Sequence, residues 1–165
     1  ARASYYGFGD KSRLLIRMAR NALEKGYSVV LFPRYPYQEE MIRSELGLFI
    51  KLGRLIIPKG LRLDGLDLSW HARLVITGGS TMAHEAVLLG TPAISYFPQH
   101  YYIDDYLINK GLPLYRCVDE DCINVLNTVI DSNIEHVDTS SVLSRMEDPT
   151  DLIFREIKRL VNERR

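Results

Sequence analysis

Apolar residues along this chain fall into short continuous runs separated by stretches of helical spacing, and that alternation sets the expected fold class. The runs cover residues 3–6, 28–32, 54–57, 74–77, 93–97 and 114–118. Ser28-Val-Val-Leu-Phe32 has no polar interruption after its first residue, the pattern of a parallel strand buried on both faces. Leu15, Met18, Ala19, Ala22 and Leu23 recur at helical spacing, with Asp10 or Ser12 placed to cap the helix and Gly26 to close it. Further helices are predicted over 38–46 with Gly47 behind, 65–72 with Asp64 as cap, 81–89, 103–110 ended by Gly111, and 121–130. A last helix starts at Asp148-Pro149, where proline is tolerated. Residues 48–53 fit neither period, and 132–146 are polar and weakly periodic, so they read as a connection.

Six strands alternating with helices predict an α/β fold, a doubly wound, mostly parallel six-stranded sheet of the Rossmann-like kind. In such a sheet ligands bind beyond the carboxyl ends of the strands, where the winding reverses. With the order 3-2-1-4-5-6 that point lies between the first and fourth strands, which directs attention to the loops after Tyr6 and Thr77. The 165 residues suit a single domain spanning 1–165.

Charge narrows the function classes. Lys and Arg number 21 against 21 Asp and Glu, so the basic excess that grips nucleic acid or an anionic membrane is missing. No apolar stretch approaches the ~18 residues of a membrane span, and no leader with a charged start and apolar core precedes the first strand. The chain opens on Ala1 rather than Met, which suggests a fragment or a trimmed chain of a cytoplasmic protein. Cys117 and Cys122, the two cysteines, lie five apart, match no zinc or redox spacing and read as reduced packing residues. No metal and no cofactor are expected.

The stretch with most chemistry follows the fourth strand: Thr77-Gly-Gly-Ser-Thr-Met-Ala-His-Glu-Ala86. Gly78 and Gly79 let the backbone turn and approach a ligand, while Ser80 and Thr81 place hydroxyls at a helix start whose free amides and dipole favour an anion, most often phosphate. Glu85 stands one turn after Thr81 on the same face, where a carboxylate can accept from the paired hydroxyls of a ribose. A tight strand-to-helix turn with a Ser or Thr cap explains the same residues without a ligand. Neither a dinucleotide fingerprint nor a Walker loop is present, because no Gly-x-Gly-x-x-Gly follows the first strand and no Lys follows these glycines. Arg34 and Lys59, each just past a strand's carboxyl end, are candidate phosphate partners, with a solvated surface charge as the plain alternative. His100 is the histidine whose loop should face the cleft and is the candidate catalytic group; His71 and His84 read as structural or solvent-facing.

Residues 74–98, ending Glu-Ala-Val-Leu-Leu-Gly-Thr-Pro-Ala-Ile-Ser-Tyr-Phe-Pro, resemble the C-terminal Rossmann-like domain of GT-B glycosyltransferases and the related UDP-N-acetylglucosamine 2-epimerases. The nearest resemblance is to DUF354, a prokaryotic family of unknown function sharing this glycine-rich, Glu-Ala, Leu-Gly-Thr-Pro-Ala-Ile-Ser series. It extends over residues 1 to about 130 and is most specific in 54–110. The resemblance implies a UDP-sugar site, with diphosphate over Gly78, Gly79, Ser80 and Thr81, ribose on Glu85, and base against the loop at 57–60. Gln99, His100, Asp104 and Asp105 occupy the region that meets the donor sugar in the peptidoglycan N-acetylglucosaminyltransferase. Pro33-Arg34 stands where the epimerases place a His, and Gly-Gly-Ser where they carry Ser-Gly-Gly, which ranks epimerisation below transfer. In such proteins the catalytic base usually comes from an N-terminal half, so the expected partners are a UDP-linked sugar and that missing domain. The rival reading is a non-catalytic binding or assembly module that keeps the fold with a degenerate site.

Overall fold

The computed structural model describes residues 12–59, 63–133 and 135–163. Along them helix and strand alternate: α1 (Ser12–Glu24), β1 (Val29–Val30), α2 (Pro36–Lys51), β2 (Leu55–Ile56), α3 (Gly65–His71), β3 (Val75–Thr77), α4 (Ser80–Leu88), β4 (Ala93–Ser95), α5 (Tyr102–Asn109), β5 (Leu114–Arg116), α6 (Asp121–Asp131), α7 (Ser140–Leu143) and α8 (Pro149–Asn162). The α/β class and the parallel pairing expected from the sequence are both present.

The single six-stranded sheet is not. Among the described residues β1 and β2 form one sheet, and β3, β4 and β5, in that order, form another. The strand expected over 3–6, which the assumed order put between these two groups, lies outside the described residues. The ladders themselves are short for a reason visible in the sequence. Proline has no N–H to donate, and Pro33 and Pro58 stand just beyond β1 and β2, while Pro92 and Pro113 stand just before β4 and β5. Their carbonyls still accept: Val75 N–H donates to Pro92 O at 3.0 Å and Ala93 N–H to Pro113 O at 3.0 Å.

Both faces of the three-stranded sheet are covered, as double winding requires. Register rows alternate between them, with Val75, Ala93 and Leu114 in one row and Ile76, Ile94 and Tyr115 in the next. The first row packs with Ala83, Ala86 and Val87 of α4, Leu107 of α5 and Leu112. The second packs with Leu14 and Met18 of α1 and Leu126 and Val129 of α6. Ala83 and Ala86 are wholly buried, and their small side chains let α4 lie close to the strands. Each fully buried Leu or Ile contributes about 1.5–3 kcal/mol of transfer free energy.

Helix α1 ties the two sheets into one core. Leu14 and Met18 belong to the three-stranded sheet's cluster, whereas Ile16, Ala19 and Leu23 join Leu31, Ile42, Leu46 and Leu55 around β1 and β2. Helix α2 absorbs most of the ambiguous residues 48–53, running through Gly47 to Lys51 before Gly53 at φ +70° turns the chain. Its start is fixed by Pro36 in the first turn and by Gln38, whose Oε1 accepts from the Arg34 and Tyr35 amides. The polar connection is docked at Gly90: Val137 N–H donates to Gly90 O at 2.9 Å and Thr139 Oγ1 to Leu88 O at 2.8 Å.

The cysteine expectation is corrected. Cys117 and Cys122 are buried, as packing residues would be, but they are joined in a disulfide. Asp119 at φ 51° turns the chain between β5 and α6 and brings the two Cα atoms to 4.9 Å, a spacing that an extended chain with a sequence separation of 5 would not give. No helix of the described residues is long and apolar enough to cross a membrane.

Candidate functional site

The strand-to-helix turn after β3 forms as its residue types dictate. Thr77 Oγ1 accepts from the Gly79 amide at 3.0 Å, which folds the chain back at once. Gly79 is then the N-terminal cap of α4 in extended conformation and, having no side chain, leaves the first amides of α4 without a side-chain acceptor. The two glycines have different reasons to be glycine. A Cβ at Gly78 would stand 2.7 Å from Cε2 of the Tyr96 ring, so Gly78 is the bed on which Tyr96 packs. Among the described residues a Cβ at Gly79 would meet only Thr77 Oγ1, at 3.7 Å, an ordinary contact. The free approach expected of both glycines belongs to Gly79.

Ser80 and Thr81 form the first turn of α4, Thr81 exposed and Ser80 partly so. Glu85 is partly buried one turn later, and its carboxylate has no hydrogen bond or ion pair among the described residues. The C-terminal register row of the same sheet is Thr77, Ser95 and Arg116. The loops leaving β3 and β4 and the end of β5 therefore open on one edge.

The β4–α5 loop carries the other expected residues. Gln99 is exposed, and its carbonyl accepts from an Arg116 terminal nitrogen at 2.6 Å. His100 is exposed and pairs through Nε2 with Asp105 at 3.0 Å. Asp104 was expected to meet a sugar, yet its side chain is only 2% exposed. Its Oδ1 lies 2.6 Å from Nε2 of His84, and its Oδ2 lies 3.2 Å from Nε of Arg116. The second contact is an ion pair out of hydrogen-bond alignment, so Oδ2 and Nε are buried without hydrogen-bond partners. Beside Arg116 an open cleft of about 380 Å³ is lined by Pro98, His100, Cys117, Val118 and Asp121.

Arg34 and Lys59 stand past the carboxyl ends of β1 and β2, on the two-stranded sheet. Lys59 Nζ is bound to Glu39 Oε1 of α2 at 2.8 Å. The Lys59 ammonium first, and the Arg43 guanidinium second, hold the Glu39 carboxyl below its ordinary range. Arg34 lies at the head of α2 with its guanidinium 5.7 Å from the Tyr35 ring centroid. Gly60, part of the loop assigned to the base, is outside the described residues. Among the described residues no group of three or more His, Cys, Asp or Glu could hold a metal ion.

Sequence reasoning read His84 as structural or solvent-facing and did not single out Arg116; neither had been joined to Asp104. The available signal was positional: His84 is four residues after Ser80, on its side of the helix, and Arg116 ends a strand in register with Thr77 and Ser95.

A relative from Methanocaldococcus jannaschii, the uncharacterized protein MJ0665, is 29% identical over 131 residues, which is 79% of this chain and 34% of that protein. The chain thus spans about a third of that relative's length. The model of the family described as Protein of unknown function (DUF354) matches residues 2–162, nearly the whole chain, and the protein belongs to that family.

Proposed function

We propose that the chain is a nucleotide-sugar-binding domain, taking a UDP-linked sugar and forming part of a GT-B-like glycosyltransferase. The observation that carries this reading is the turn from β3 into α4. There the uncapped amides of a helix start, a glycine with open space and two hydroxyl side chains face one sheet edge, the arrangement that receives a phosphate. Glu85, unpaired among the described residues one turn on, is available to a ribose, and the cleft beside Arg116 offers room for a sugar. Arg34 and Lys59 have a smaller part in this reading, because Lys59 already serves Glu39.

Gly79→Val tests it cleanly. Among the described residues a Cβ there meets Thr77 Oγ1 at ordinary distance, whereas a valine side chain stands in the way of a phosphate drawn onto the α4 amides. Uridine diphosphate should bind at least ~10-fold more weakly, about 1.4 kcal/mol, measured by calorimetry on a variant with an unchanged melting temperature. Unchanged affinity would reject the phosphate assignment. Gly78→Ala is a poor substitute, since it presses on Tyr96 and confounds binding with packing. The competing reading, an assembly module with a degenerate site, expects wild-type protein to give no binding signal at all.

A further inference from the structure

The mutual placement of His84, Asp104 and Arg116 has a consequence for the candidate site that none of the three has alone. Asp104 is almost wholly buried between a guanidinium and an imidazole. The carboxylate that faces Arg116 is the acceptor, which assigns the hydrogen of the 2.6 Å bond to His84 Nε2. The ring is thereby fixed in orientation and tautomer, and Nδ1 is left to gain or lose a proton. While His84 is neutral, the charges of Asp104 and Arg116 cancel; protonation of Nδ1 makes the cluster a net cation.

That cation would sit one turn behind Ser80, on the same side of α4. An anion on the α4 amides would attract it. Among the described residues, other ionisable groups of the packed elements are engaged elsewhere: Asp67 with His71 on α3, and His100 with Asp105 at α5. Asp64 caps α3. Glu85, next along α4, forms no ion pair with His84.

We propose that His84, positioned by Asp104 and Arg116, is a proton-linked cation of the anion site, so that binding a diphosphate draws one proton onto its imidazole. The inference rests on the nucleotide-sugar reading above and adds a regulatory property to it. Proton and ligand then assist each other by the same factor, and affinity falls as pH rises.

UDP-N-acetylglucosamine is the suitable probe, because its diphosphate is esterified at both ends and does not itself titrate near neutrality. Calorimetry in buffers of differing ionisation enthalpy counts protons taken up per ligand bound. Wild-type protein should take up a proton on binding and lose about 5- to 10-fold in affinity between about pH 6 and pH 8. His84→Gln keeps a donor for Asp104 but cannot be charged; it should bind without proton uptake and with little pH dependence. His84→Arg fixes the charge and should bind at pH 8 as well as wild type does at pH 6. Wild-type binding without proton uptake, or uptake that persists in His84→Gln, overturns this inference and leaves the nucleotide-sugar site standing. Absence of binding by wild type even at pH 6 overturns the site and this inference with it.

Discussion

At the scale of single residues, chemistry and packing compete for the same positions, and the glycine turn shows how they divide. Gly78 is needed by Tyr96, whereas a Cβ at Gly79 would make an ordinary contact among the described residues, so a run that reads as one ligand loop is half core packing. Asp104 makes the same point from the other side. The resemblance implied a sugar contact for it, but a buried carboxylate requires partners, and Arg116 supplies an ion pair and His84 a hydrogen bond. Glu85 is different, being partly buried and unpaired among the described residues. If it holds a ribose, Glu85→Gln keeps the size and removes the charge that strengthens an accepted hydrogen bond. Uridine diphosphate should then bind several-fold more weakly while inorganic diphosphate, which has no ribose, is barely affected. An equal loss for both ligands in calorimetric titrations would mean that the helix was damaged instead.

At the scale of elements, what was legible in the sequence follows from how local the cause is. β3, β4 and β5 could be read from their apolar runs, and α3, α4, α5 and α6 from their caps and glycines, because each signal lies within a few residues. The extent of α2 could not. Gly47 looked like a stop, yet the residues beyond it include Phe49 and Ile50, which pack on the β1–β2 cluster, and tertiary contact carries the helix through. The disulfide was equally hidden, since it depends on a turn with Asp119 in a left-handed conformation. Of the candidate site, the turn after β3 was legible from residue types, whereas the His84–Asp104–Arg116 cluster joins three elements 32 residues apart along the chain, from 84 to 116, and no local pattern announces it. Helix α8 is the element least explained by the fold. It is strongly amphipathic, none of its residues is buried, and Ile153, Phe154, Ile157, Leu160 and Val161 are each more than half exposed. Removing residues 148–165 should therefore leave the melting temperature within about 2 °C, since little apolar burial is lost. It should also reduce self-association seen by sedimentation, because an exposed apolar stripe is the usual cause of it. A large drop in stability on truncation would show that α8 is held by contacts that its burial does not suggest.

At the scale of the whole molecule, the question is how much of a reaction one such domain can perform. Apart from Arg34 and Lys59, the candidate groups lie along one edge of the three-stranded sheet, so they can bind and orient a ligand from a single side. Transfer or epimerisation needs more: a base within ~3 Å of the reacting atom and a site closed to water. The cleft beside Arg116 is open, and His100, the exposed histidine nearest to it, is paired with Asp105 rather than directed by a buried group. The 165-residue chain alone is accordingly expected to bind UDP-N-acetylglucosamine weakly and to show neither transfer nor epimerisation. Incubation followed by NMR, reading UDP release and exchange of the sugar C2 proton, provides the check. Turnover well above a buffer control, abolished by His100→Ala or Glu85→Gln, would place a complete catalytic apparatus on this one sheet edge and would make closure by a second domain unnecessary.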